Sequence, residues 1–74
     1  MTFTDRIEIN PRVMLGKPVI RGTRIPVELV LRKLGAGMAP NEILAEHPKL
    51  SFDDIRAAQA FAADYLADEE IVYR

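Results

Sequence analysis

Cysteine is absent from the 74 residues, which removes disulfide frameworks, thiol chemistry and any cysteine-built zinc site. Histidine occurs once, as His47, so a single chain can build neither a histidine metal cluster nor a Ser–His–Asp arrangement. No apolar run approaches the ~20 residues of a membrane span. Met1-Thr2-Phe3-Thr4-Asp5-Arg6 lacks the basic-then-apolar order of a secretory signal. A soluble, cytoplasmic chain with no membrane contact and no cofactor is expected. Repeats and low-complexity linkers are missing too, so residues 1–74 read as one domain. Hydrophobic residues make up 49% of the chain, but nine of them are alanines. Large core-forming side chains are therefore scarce at a length where burial is already limited. A partner, either a second copy in a homodimer or a target protein, is expected.

The net charge of −1 conceals an asymmetry. Residues 1–37 carry seven bases and three acids, a net +4, whereas residues 38–74 carry three bases and eight acids, a net −5. Two consequences are open: the halves neutralise each other within one molecule, or each end meets a partner of opposite charge.

Arg6-Ile7-Glu8-Ile9 alternates polar and apolar, the period of a half-buried strand, and Asn10-Pro11 stops it. Leu15-Gly16-Lys17-Pro18 reads as a turn, and Val19-Ile20 as a second short strand closed by Gly22-Thr23. Two such strands form a hairpin or arm over residues 1–24 that must pack on something to persist. Helical spacing begins at Ile25-Pro26, with Val27, Val30, Leu31 and Leu34 in one stripe and Gly35 and Gly37 at its end. Pro40 opens a second, short helix with Ile43 and Leu44 inward, closed by His47-Pro48. Ser51 and Asp54 approximate a capping box for a third helix, from Phe52 to about Leu66. Its Ile55, Ala58, Ala62, Tyr65 and Leu66 share one side, while Ala57, Ala60, Phe61 and Ala67 form a second stripe. The pattern predicts a mainly α fold: a helix-turn-helix-like cluster of three helices over 25–66, an N-terminal β-arm, and a tail over 67–74.

No catalytic constellation emerges, so an enzyme is not expected. His47 suits a helix C-terminus. Asp64 and Asp68 share a face, but two carboxylates without further ligands describe a solvated surface, and no metal is expected. For nucleic acid, the third helix offers only Arg56 and Gln59 behind Asp53 and Asp54, which would repel phosphate. The arm, with Lys17, Arg21, Arg24 and Arg12, is the better cationic surface, although Arg24 lies four residues before Glu28 and can pair with it. For protein, the second stripe (Ala57, Ala60, Phe61) and the Ile71-Val72-Tyr73 tail are the candidate interface, Phe61 as its aromatic anchor. The competing reading of the stripe is a broad core closed by the arm.

Gly16-Lys17-Pro18-Val19-Ile20-Arg21-Gly22-Thr23-Arg24-Ile25-Pro26-Val27 resembles the signature of the small bacterial and archaeal family called domain of unknown function 433. The resemblance continues through Gly37-Met38, Glu42-Ile43-Leu44, Pro48, Leu50 and Asp54-Ile55-Arg56-Ala57-Ala58, about residues 7 to 65. It implies a homeodomain-like helix-turn-helix fold and frequent pairing with a PIN-like nuclease toxin, this chain being the antitoxin. Leu15 stands where that family often has glycine, and Phe61 replaces a usual tyrosine. On this view Arg21 or Arg24 occupies the toxin's acidic active site, where RNA phosphate or metal would sit. Operator binding by a dimer would be a second activity. A helix-turn-helix regulator acting alone and a structural dimerisation module are the alternatives.

Overall fold

The structure is a computed structural model that describes residues 3–67. A 3-10 turn over Phe3–Arg6 leads into β1 (Ile7–Glu8), which pairs antiparallel with β2 (Val19–Ile20) in the register Ile7 opposite Ile20. Three helices follow: α1 (Val27–Gly35), α2 (Pro40–Glu46) and α3 (Phe52–Ala67). The protein is a mainly helical three-helix cluster with a small two-stranded sheet at its N-terminal side, as the sequence pattern leads one to expect.

Local chemistry sets the element ends. Gly37, at φ 95°, is the left-handed residue that closes α1. Its N–H donates to the Leu34 carbonyl at 3.0 Å, and the Met38 N–H reaches back to Lys33 at 3.0 Å, the paired bonds of a Schellman stop. Gly35, expected to share that task, remains helical. At the start of α2, the Glu42 carboxylate accepts from the Ala39 N–H at 2.8 Å. His47 ends α2 as expected, donating its backbone N–H to Ile43. The box at Ser51 forms in both directions: the Asp54 N–H donates to the Ser51 hydroxyl at 3.3 Å, and the Ser51 N–H to the Asp54 carboxylate at 3.0 Å.

The arm belongs to the core. Ile7 and Ile20 are buried together with Val27, Val30, Ile43, Leu50, Ile55, Ala57 and Ala58, and the Phe3–Arg6 turn and β1 both pack on α3. β2 is further tied to the entry of α1: Val19 bridges Pro26, and the Val27 N–H donates to the Pro18 carbonyl at 2.9 Å. Two expectations are corrected here. Ala57, placed in the second stripe as a candidate interface residue, is fully buried, as the competing reading of a broad core closed by the arm has it, because α3 has neighbours on both sides, the helices and the arm. Tyr65 and Leu66, placed on one side of the helix with Ile55 and Ala58, are 60% and 54% exposed, so only the first half of that side is buried. A helix of 16 residues is about 24 Å long, and no described residue of the buried core lies beyond Ala58 on it.

Candidate functional site

The ion pairs decide which cations are available. Arg6 Nη1 donates to Asp54 Oδ1 at 3.1 Å, and Arg6 Nη2 lies 3.6 Å from Asp53 Oδ2. Asp54 is only 8% exposed, so the front of α3 is less acidic than the sequence implies. Lys33 of α1 bonds to Glu46 of α2. Both contacts join the basic half of the chain to the acidic half, so part of the asymmetry is neutralised internally.

Lys17 and Arg21, both expected to face a partner, are engaged within the chain. Lys17 Nζ donates to Glu28 Oε1 at 2.8 Å, and Arg32 approaches the other Glu28 oxygen at 3.7 Å. The Lys17 hydrogen bond, reinforced by its charge, holds the Glu28 carboxyl below its ordinary pKa, and the Lys33 hydrogen bond does the same for Glu46. Arg21 Nε donates to the Asp5 carbonyl at 2.7 Å and Arg21 Nη2 to the Ile7 carbonyl at 3.3 Å, so its guanidinium staples the arm. The expected Arg24–Glu28 pair does not form, since Glu28 is taken by Lys17 and Arg32. Among the described residues, the cations outside any ion pair are Arg12, Arg24 and Lys49. On α3, Arg56 is exposed but lies 3.9 Å from Asp53, and Gln59 is exposed beside it.

Two concave surfaces result. One is an open cleft of about 510 Å³ lined by Glu8, Val13, Gly22, Thr23, Arg24 and Lys49. Arg24 is the cationic member already marked by the charge of the arm; Lys49 sits 25 positions away and carries no local signal. The other is an apolar groove of about 190 Å³ between α1 and α3, formed by Pro18, Val27, Leu31 and Phe61 and edged by Lys17 and Glu28. Phe61 is half-buried against the core, and its ring stacks with that of Tyr65 at 6.3 Å. It therefore serves both readings: it closes the core and floors an open groove. Ala60 is half-buried beside it. Ile71, Val72 and Tyr73, the rest of the expected interface, lie outside the described residues, as does Asp68.

Leu15 was missed as a surface feature. It is 95% exposed and held at φ 57°, between Met14 at φ 50° and Gly16 at φ 83°. A left-handed backbone costs a leucine roughly 1–2 kcal/mol, and an apolar side chain gains nothing from water. The cue was the proximity of Gly16 and Pro18, which signalled a turn but not its handedness.

The fold and these surfaces define a small three-helix domain with a β-arm. The chain belongs to the family described as a protein of unknown function (DUF433), whose model matches residues 7–62. A crystal structure of a DUF433 member from Anabaena variabilis superposes with a TM-score of 0.78 at 34% identity, covering 84% of this chain and 61% of that one. An uncharacterized protein of Sinorhizobium fredii, y4eO, is 38% identical over 53 residues, which are 72% of this chain but 24% of that protein. An uncharacterized protein of Archaeoglobus fulgidus is 54% identical over 28 residues, 38% of this chain and 78% of that one. The chain thus spans about a quarter of the length of the Sinorhizobium relative.

Proposed function

We propose that this protein is the antitoxin of a toxin–antitoxin pair, a binding module that neutralises a PIN-like ribonuclease by covering it with apolar surface. One observation carries the reading: Leu15 is 95% exposed at a left-handed backbone position, two residues before the Lys17-Pro18 edge of the apolar groove. Strain and solvated apolar area both oppose the isolated fold, and both are offset when a partner surface covers them. Phe61 floors that groove, Tyr65 stacks its ring on Phe61, and Tyr65 and Leu66 are exposed large hydrophobics on the same helix. The resemblance to the family supplies the class of partner. Of the two arginines considered for the nuclease's acidic centre, Arg21 is spent on the arm, and Arg24 is the one without an ion pair among the described residues.

A regulator that reads bases with α3 is less well supported, because Arg56 shares the carboxylate of Asp53. The test is co-expression with the product of the neighbouring reading frame, which the proposal requires to be a PIN-type nuclease, followed by RNA cleavage assays. Leu15→Ser and the double variant Tyr65→Ser/Leu66→Ser should each weaken inhibition at least tenfold while the chain still unfolds cooperatively. Full inhibition by both variants overturns the reading. So does a wild-type chain that only self-associates and leaves the nuclease active.

A further inference from the structure

We propose that the cleft between the arm and the α2–α3 turn is a binding site for the phosphate groups of a nucleic-acid strand, with Arg24 and Lys49 as its two cationic contacts. The site is separate from the α1–α3 groove but shares Arg24 with the proposed nuclease contact, so strand and nuclease would compete for it; the proposal does not require that a nuclease partner exist.

Placement is the first argument. Six of the nine described basic residues, Arg6, Lys17, Arg21, Arg32, Lys33 and Arg56, are in ion pairs with carboxylates of the same chain. Of the remaining three, two converge on one cleft from different parts of the fold: Arg24 from the turn after β2, and Lys49 from the turn between α2 and α3. The third, Arg12, adjoins Val13 in the wall of that cleft. The Arg24 and Lys49 side chains are both exposed and neither pairs with a carboxylate among the described residues, so an anion entering the cleft meets two cations without displacing an internal partner.

Charge balance agrees. Glu8 is the one carboxylate in the lining among the described residues, and Arg21 Nη1, 4.0 Å from it, offsets part of its charge. Thr23 is not free to act as a ligand: its hydroxyl donates to the Ile20 carbonyl at 2.7 Å and accepts from the Ile25 N–H at 3.0 Å. Those bonds instead fix the turn that carries Arg24. Gly22, at φ 82°, leaves open space where a Cβ would project, so a bulky strand can approach the turn backbone closely.

Size selects among anions. At about 510 Å³, the cleft falls within the ~300–1,000 Å³ range of small-molecule sites and is far roomier than one carboxylate side chain needs. A nucleotide unit, with its phosphate between a planar guanidinium and a mobile ammonium and its sugar against Val13, fits both volume and polarity.

The experiment is fluorescence anisotropy of a labelled duplex and a labelled single strand, each titrated with the full chain across a salt series. Arg24→Gln/Lys49→Gln should lose at least tenfold affinity at low salt. Its slope of log affinity against log salt should fall by about 1.8 on the duplex and about 1.4 on the single strand, the release expected for two phosphate contacts. Arg24→Lys/Lys49→Arg should retain most of the slope, and Arg32→Gln, on another surface, should change affinity less than twofold. Inorganic phosphate and a mononucleotide, added as competitors, separate a strand site from a free-anion site: displacement of the oligonucleotide only by the mononucleotide or by another oligonucleotide supports the proposal. Equal displacement by inorganic phosphate overturns the strand assignment. An unchanged slope in the double variant overturns the site itself. Loss of binding to polyglutamate with oligonucleotide binding intact would assign the cleft to an acidic protein instead.

Discussion

The guanidinium of Arg6 donates to Asp54 across 48 positions of sequence, at 3.1 Å. The same carboxylate accepts from the Ser51 N–H at the start of α3. One buried group therefore serves two structures at once: it caps the longest helix and fastens the N-terminal arm to it. Replacing Asp54 by alanine should cost about 2–3 kcal/mol, since a cap and a largely buried charge partner are lost together. Arg6→Ala should cost about 1–2 kcal/mol, because the guanidinium is a third exposed and hydrogen bonds to charged groups are worth about 1.5–3 kcal/mol before that screening. Urea midpoints of both single variants and the double variant read the result. Strict additivity in that cycle would show the two residues to be uncoupled.

If the arm is part of the core, Ile20→Ala should behave as a core truncation. A loss of about 2–4 kcal/mol is expected, similar to that for Ile43→Ala in α2, since both side chains are fully buried. An appended arm would instead tolerate Ile20→Ala within about 0.5 kcal/mol.

Leu15→Gly should raise stability. Relief of left-handed strain, about 1–2 kcal/mol, exceeds the roughly 0.5–1 kcal/mol that glycine adds to unfolded-chain entropy. A gain of about 0.5–1 kcal/mol in thermal or urea unfolding is expected. Under the proposed function, the same variant should inhibit the partner nuclease less well, which separates the partner contact from the fold. A destabilised Leu15→Gly would show that the leucine contributes to the isolated chain.

Acid should weaken the fold in part through Glu28 and Glu46. Their pKa values are lowered in the folded protein, so their contribution is complete above the ordinary glutamate value of 4.5. It is then lost as pH falls through the depressed folded values. Both groups lie at the surface, and the effect is accordingly small and salt-sensitive. Glu28→Gln/Glu46→Gln should unfold at a lower urea concentration than wild type at neutral pH, and the two curves should converge in acid. A gap that persists at low pH would point to a loss other than the ion pairs.

How much of this was legible beforehand differs by feature. Pro40, Gly37 and the Ser51–Asp54 pair mark helix ends through bonds made within a few residues, and the stripe from Val27 to Leu34 marks a buried face through its period alone. The charge pattern was legible only as a sum. Lys17 and Arg21 looked as available as Arg24, because nothing local records that Glu28 faces Lys17 or that Arg21 lies over the Asp5 and Ile7 carbonyls.

Capping, turn chemistry and apolar periodicity act over one or two turns of chain, which is why the three helices, the two short strands and most of their limits can be read from the linear order of residues. Tertiary structure decided that Ala57 is internal, that Arg6 meets Asp54, and that Arg24 and Lys49 share a cleft while Leu15 stands out in solvent. Those outcomes depend on which distant segments approach each other, and a Coulomb or packing contact has no counterpart in the linear order of residues until the core has closed.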